Sequence, residues 1–153
     1  MDANLRQEID KIVGLYEEKK AALLPVLHLV QDKKGFISPE SEQQIGDILG
    51  VPVVHVHEVV SFYHLFHQAP KGKCHFSVCQ TTSCALLGGE RIIGHIKKRL
   101  NIKAGETTPD GKFSLSVVEC LGACEIAPMM QLNKEYKGPL TIEDIDRLID
   151  QNK

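Results

Sequence analysis

The sequence contains no tryptophan, and aromatic residues make up only 5% of its 153 positions. Nucleic-acid-binding proteins use aromatic side chains to stack on bases and basic surfaces to hold phosphates. Here the net charge is −2, and no basic stripe is present. The apolar runs also fall far short of the roughly 20 residues that span a bilayer. We therefore expect neither nucleic-acid binding nor direct membrane insertion.

Several functional motifs are also missing. The chain has no C-x-x-C pair of the thioredoxin redox type and no G-x-G-x-x-G loop for a nucleotide or flavin. Its first ten residues, MDANLRQEID, lack the basic and then apolar segments of a secretory signal. We therefore predict a cytoplasmic protein, in which structural disulfides are uncommon.

Two cysteine pairs are the most informative feature that is present. Cys79 and Cys84 enclose four residues in CQTTSC, and Cys120 and Cys124 enclose three residues in CLGAC. Four thiols in two turn-forming segments suit a metal centre with tetrahedral sulfur ligands, and the spacing favours an iron–sulfur cluster. Structural zinc sites usually have C-x-x-C pairs, so zinc is the weaker alternative. Thiol redox or disulfide chemistry also remains open at this level.

The residues between the cysteines suit a cluster loop. Thr81, Thr82 and Ser83 are small and can turn hydroxyl or backbone N–H groups toward sulfur. Gly122 and Ala123 let the backbone approach closely. Both segments therefore hold the residues that a cluster loop needs.

The first seventy residues have the apolar spacing of helices. One helix is predicted from Leu5 and Ile9 through Lys20, and a second, apolar nearly all round, should end at Gly35. A third should begin at Ser38-Pro39 and end at Gly50. A fourth is predicted from Pro52 to Phe66, although its β-branched residues also suit a strand. Turn residues at 69–72 then indicate a boundary, giving domains 1–70 and 71–153.

After this boundary the pattern changes to strands and helices. KCHFSVC and the alternation in KFSLSVV predict two strands that lead into the two cysteine segments, and MMQLN predicts a third. A helix is expected from roughly Leu86 to Leu100. Thr141 and Asp144 resemble a capping box that begins a final helix. The second half is therefore predicted to be a small α/β unit with both pairs just beyond strand ends, where such folds place their sites.

Short motifs along the chain carry a family resemblance. They are, in order, SFY, PKGK, the C-x₄-C pair, GE, DGKFSL and ECLGAC followed by AP. This order resembles the E subunit of bacterial NADH–quinone oxidoreductase. It equally resembles the small subunits of NAD(P)-linked and electron-bifurcating hydrogenases and of NAD-dependent formate dehydrogenases. The resemblance covers nearly the whole chain, and the cysteine motifs are its specific part.

The resemblance implies an α/β fold in which an N-terminal helical bundle precedes a thioredoxin-like domain with one [2Fe-2S] cluster. The cluster ligands that it implies are Cys79, Cys84, Cys120 and Cys124. Cys74 is a fifth cysteine outside the motif. Because it lies five residues before Cys79 on a predicted strand, its side chain should point to the opposite face. We interpret Cys74 as a small buried apolar residue.

The implied function is that of an electron-transfer subunit in a multi-subunit NAD(H)-dependent oxidoreductase, not catalytic alone. FMN and NAD(H) are expected on a partner subunit that also binds iron–sulfur clusters. Such partners could hold this chain at the inner face of the membrane. The alternative is a free-standing [2Fe-2S] ferredoxin-like carrier. A carrier needs only the cluster domain, so the additional helical residues favour a subunit with a docking element.

Overall fold

Helices joined by short turns form the first seventy residues. In the computed structural model, which describes residues 2–153, the chain divides into two compact units, Met1–Pro70 and Lys71–Lys153. The elements described in the first unit are α1 (Ala3–Val13), a 3₁₀ helix (Lys19–Ala22), α2 (Leu23–Lys34), α3 (Pro39–Leu49) and α4 (Val53–Phe62). The predicted N-terminal helical bundle is confirmed.

Local capping signals fix the ends of α3. The Ser38 hydroxyl accepts a hydrogen bond from the Ser41 N–H at 3.2 Å, and Pro39 takes the first helical position. Gly50 caps the other end. Both ends lie where the sequence predicts them, because the signals come from residues next to the helix.

Two other helices are shorter than predicted. α1 ends at Val13 instead of continuing to Lys20, and Gly14 caps it with an N–H bond to the Asp10 carbonyl. Leu15 is 81% exposed, so no core contact supports another turn of helix. α4 ends at Phe62 instead of Phe66. In both places the apolar spacing extends past the last residue of the helix, so apolar spacing alone overestimates the helix length.

The core of the first unit consists of aliphatic side chains from all four helices, plus Phe66. One buried carboxylate interrupts the apolar character. Glu42 is only 5% exposed, and its carboxylate lies 3.0 Å from the His57 Nδ1 atom. Buried ionisable groups need such a partner to offset the cost of losing water.

A four-stranded mixed sheet forms the centre of the second unit. Its strands are β1 (Cys74–Cys79), β2 (Phe113–Val118), β3 (Met130–Leu132) and β4 (Glu135–Lys137), in the order β2-β1-β3-β4. Its helical elements are α5 (Thr82–Leu86), α6 (Gly89–Leu100), a 3₁₀ helix (Cys124–Ile126) and α7 (Ile142–Gln151). The first three strands confirm the prediction, whereas β4 was not predicted.

Strand directions determine which ends of the sheet meet. β1 and β2 are parallel, with Cys79 opposite Val118 at their carboxyl ends. β3 runs antiparallel to β1 and places Met130, its first residue, opposite Val78. The end of β1, the end of β2 and the start of β3 therefore lie at one edge of the sheet.

The helix predicted from roughly Leu86 to Leu100 is α6, which begins three residues later, and the short helix α5 before it was not predicted. α5 ends at Leu86, and α6 begins at Gly89 after Gly88, which has a φ of +99°. Few non-glycine residues adopt that backbone conformation. The buried face of α6 carries Ile92, Ile93 and Ile96 as expected, and α6 contacts β1, β2 and α7.

Candidate metal centre

The four cysteines of the two pairs lie in chain segments that begin at this shared edge of the sheet. Cys79 is the last residue of β1, and Cys120 lies two residues beyond the end of β2. The chain passes Cys124 before it returns to the same edge at the start of β3. Two backbone bonds hold this edge together: Gln80 N–H to the Val118 carbonyl at 3.0 Å and Cys79 N–H to the Met129 carbonyl at 3.2 Å.

The first pair is buried on regular secondary structure. Cys79 ends a strand and is 3% exposed, whereas Cys84 lies within α5 and is 2% exposed. Both belong to a small apolar cluster that is separate from the main core of the sheet. Its other members are Val118, Leu121, Ala123, Ala127 and Met129. The thiols of this pair are therefore shielded from water by both cysteine segments.

The second pair lies on the surface. Cys120 and Cys124 are both exposed, and Cys124 begins the short 3₁₀ helix. Gly122 between them has a φ of +76°, and its N–H lies 3.4 Å from the Cys120 sulfur. The second segment thus turns backbone toward sulfur, as the sequence predicts for Gly122.

Hydrogen bonds to sulfur also come from the first segment. The Thr81 hydroxyl oxygen lies 3.2 Å from the Cys79 sulfur, as predicted for this residue. Burial raises the pKa of the Cys79 thiol, but hydrogen bonds from Thr81 and from the Leu121 N–H outweigh it and hold the pKa below its ordinary value.

At Cys84, the effects that raise the thiol pKa outweigh the one that lowers it. Burial raises the pKa of its thiol, a backbone hydrogen bond from Met129 opposes that effect, and the neighbouring thiols of Cys79 and Cys124 raise it further. Leu121 and Ala123 of the second segment belong to the same apolar cluster as Cys79 and Cys84, so the two cysteine segments pack against each other.

The fifth cysteine lies elsewhere. Cys74, the first residue of β1, packs against the cluster that contains Phe76 and Val78. Cys79 belongs to the other apolar cluster, so the prediction that Cys74 points to the opposite face is confirmed. Cys74 is half-buried, and burial raises the pKa of its thiol.

The sequence analysis missed one contact at the site. The Tyr136 hydroxyl of β4 donates a hydrogen bond to the Leu121 carbonyl at 2.9 Å. Tyr136 lies 15 positions further along the chain, and β4 has only three residues. The three residues of β4 are mostly exposed, so the strand has no alternation of buried side chains that could be recognised from sequence.

Four thiols in two segments are a ligand set that a [2Fe-2S] cluster uses. Among residues 2–153, no three His, Cys, Asp or Glu side chains are arranged to hold one ion. A [2Fe-2S] cluster distributes four thiolates over two irons, so its ligands need not converge on one point. The sulfur-directed N–H and hydroxyl groups are those that orient and tune such ligands.

This short mixed sheet, with four thiols gathered at one edge, defines an iron–sulfur protein of the thioredoxin-like class. The family model for thioredoxin-like [2Fe-2S] ferredoxins matches residues 9–153. The chain belongs to that family, whose members carry one [2Fe-2S] cluster.

Curated relatives extend the comparison over nearly the whole chain. The second E subunit of the NADH-quinone oxidoreductase of Rhizobium meliloti is 41% identical over 146 residues, which cover 95% of this chain and 87% of the relative. The E subunit of the Rickettsia felis enzyme is 41% identical over 134 residues, covering 87% of this chain and 80% of the relative. The resemblance to this family of E subunits, stated from the motifs, is confirmed.

A solved structure shares the fold. An NAD⁺-reducing [NiFe]-hydrogenase in the air-oxidised state superposes with a TM-score of 0.72 at 22% identity, covering 84% of this chain and 22% of the hydrogenase chain. This likeness supports the thioredoxin-like fold. Within residues 2–153, no helix combines the length and apolar character needed to cross a bilayer.

Proposed function

We propose that this chain is the electron-transfer subunit of an NAD(H)-dependent oxidoreductase complex and that Cys79, Cys84, Cys120 and Cys124 hold its [2Fe-2S] cluster. The observation that best supports the proposal is the position of the cysteines. They lie in segments that adjoin the ends of β1 and β2 and the start of β3, at one edge of the sheet. The NADH-quinone oxidoreductase relatives, which match nearly end to end, support the same role.

Each part of the site has a distinct task in this role. The bound cluster supplies one-electron chemistry. The buried sulfurs of Cys79 and Cys84 exclude water from one side, and the exposed segment with Cys120 and Cys124 leaves the other side open to a partner. Thr81 and Gly122 direct hydrogen bonds at sulfur and so hold the ligands in place.

The partner in this proposal carries FMN and NAD(H). Hydride transfer moves two electrons together, whereas one [2Fe-2S] cluster takes one, so a flavin must stand between them. We assign residues 1–70 to a docking domain and residues 71–153 to the cluster domain. Exposed apolar side chains in the first unit support docking there, since Val54 is 64% exposed and Phe62 is 79% exposed. Such a complex would be cytoplasmic or at the inner face of the membrane.

The test uses NADH as the electron source. The pure chain should reduce no dye with NADH, and adding the flavoprotein partner should reduce its cluster. Phe62→Asp should slow this partner-dependent reduction without changing reduction by dithionite. Gln7→Asp, which adds the same charge at an exposed polar position of the same unit, is the matched control. NADH oxidation by the flavin-free chain would contradict the proposal, and an unchanged rate in Phe62→Asp would favour the free-standing carrier.

A further inference from the structure

One peptide group in the second cysteine segment is hydrogen-bonded at both ends. Its N–H belongs to Gly122 and lies 3.4 Å from the Cys120 sulfur. Its carbonyl belongs to Leu121 and accepts the Tyr136 hydroxyl at 2.9 Å. We propose that Tyr136 is a positioning residue which, through this peptide, strengthens the N–H···S bond to Cys120 and raises the reduction potential of the cluster. This inference rests on the proposed ligand set.

The backbone of the segment explains why an anchor is needed. Gly122 has a φ of +76°, and its N–H lies 3.4 Å from the Cys120 sulfur. No atom lies within 4 Å of the position that a Cβ at Gly122 would take. Packing therefore does not hold this peptide on that side, and the segment is exposed at Cys120 and Cys124. The Tyr136 hydroxyl is the contact that fixes the carbonyl end.

Tyr136 is itself held by the sheet. It pairs with Gln131 in the antiparallel ladder between β4 and β3, and β3 pairs in turn with β1, which ends at Cys79. The residue that accepts its hydrogen bond also belongs to the small apolar cluster that contains Cys79 and Cys84. Tyr136 thus joins an exposed ligand segment to the strands that carry the buried one.

The direction of the effect follows from charge. A hydroxyl bonded to a carbonyl polarises the whole peptide group and makes its N–H a stronger donor. Reduction adds negative charge to the cluster sulfurs, so N–H donors to sulfur favour the reduced state. Removing the hydroxyl should therefore favour the oxidised state. We expect the reduced-to-oxidised ratio at a fixed applied potential to fall about threefold.

The test compares Tyr136→Phe with the wild-type full chain. Tyr136→Phe keeps the ring and removes only the hydroxyl. Redox titration should show a midpoint lower by about 28 mV, which is a threefold change at 59 mV per tenfold for one electron. Tyr16→Phe removes the hydroxyl of an exposed tyrosine in the other unit and should leave the midpoint unchanged. An unchanged midpoint in Tyr136→Phe with full iron content would overturn the inference.

A second readout does not require the cluster. In the metal-free chain, losing the bond to the Leu121 carbonyl should move the amide nitrogen resonance of Gly122 upfield, because the peptide is less polarised. If Tyr136→Phe incorporates too little iron for a redox titration, the Gly122 resonance of the metal-free chain tests the inference instead. An unchanged Gly122 resonance in Tyr136→Phe would overturn the inference. Absence of a cluster from the wild type would instead contradict the proposed ligand set.

Discussion

Cys79 and Cys84 lie on a strand and a helix and are buried, whereas Cys120 and Cys124 lie on a surface segment and are exposed. The first pair is positioned by regular backbone structure and apolar packing. The second is positioned by single contacts, of which the Tyr136 hydroxyl is one. The comparison teaches that the proposed ligand set would join a buried, rigid cysteine pair to an accessible one. Electron transfer needs both, since the cluster must be shielded yet close to its partner.

Serine substitutions should show the largest difference in stability between the buried pair and the exposed pair. Any one of the four should lose the cluster, because a hydroxyl is a poor ligand for a soft metal site. Cys79→Ser and Cys84→Ser should also cost the metal-free chain about 1–3 kcal/mol of unfolding free energy, since each places a hydroxyl in an apolar site. Cys120→Ser and Cys124→Ser should stay within about 0.5 kcal/mol. Iron analysis and urea unfolding of the metal-free variants measure the two effects.

Cys74→Ser is the control for this series and should keep its full iron content, because Cys74 packs against a different apolar cluster. Loss of visible absorbance in Cys74→Ser, with one of the other four dispensable, would reassign the ligands.

Two glycines pack closely against the cysteine segments, one against each segment. A Cβ on Gly89 would lie 2.8 Å from the Cys84 carbonyl oxygen, so Gly89→Ala forces α6 away from the first segment. A Cβ on Gly138 would overlap the Ile126 carbonyl beside Cys124, so Gly138→Ala disturbs the second. Each should cost about 1–3 kcal/mol of unfolding free energy.

Gly94→Ala is the matched control for both changes. Gly94 lies on the exposed side of α6, and no atom lies within 4 Å of its Cβ position. The substitution should stabilise the chain by about 0.5–1 kcal/mol, because alanine restricts the unfolded chain and favours the helix. Destabilisation by Gly94→Ala as large as that by Gly89→Ala would show that helix perturbation, not contact with the cysteine segment, is the cause.

Features set by neighbouring residues were predictable from the sequence. The ends of α3 at Ser38 and Gly50 depend on residues at the helix ends, and so does the capping box at Thr141. The first three strands were predictable because their side chains alternate. The sulfur contacts of Thr81 and Gly122 were also expected, since each lies within a cysteine segment.

Features that depend on distant partners were not predictable. β4 is three residues long, and its pairing with β3 and the Tyr136 bond to Leu121 require the folded sheet. The close approach of Gly89 to the Cys84 carbonyl also requires the folded structure. Apolar spacing alone cannot show that approach.

A smaller effect is expected at a helix outside both cysteine segments. The Asp144 N–H donates to the Thr141 hydroxyl at 3.2 Å, and the Thr141 N–H donates to the Asp144 carboxylate at 3.0 Å. Thr141→Ala removes one of these bonds and should lower the unfolding free energy by about 1 kcal/mol. Thr141→Ser should restore most of it. Iron content should not change in either variant, and iron loss in Thr141→Ala would couple α7 to the site.

The same capping box gives the smallest effect, a dependence on pH. The backbone N–H of Thr141, followed by its hydroxyl, holds the pKa of Asp144 below its ordinary value. The stability that the lowered pKa provides is present above the ordinary aspartate pKa of about 4. It is lost as the pH falls through the lower pKa of Asp144 in the folded state. Asp144→Asn should therefore flatten the acid side of the stability curve in thermal unfolding. In a Thr141→Ala background the flattening should be only somewhat smaller, because the alanine variant loses the hydroxyl but keeps the backbone N–H, which is the larger cause. Equal flattening in both backgrounds would show that the hydroxyl does not contribute.

The most direct test of the account is the cofactor content of the anaerobically purified full chain. We expect about two irons and two acid-labile sulfides per chain and, after reduction with dithionite, a spin-half paramagnetic resonance signal at low temperature. One zinc ion per chain without labile sulfide, in protein made with abundant iron, would contradict the account.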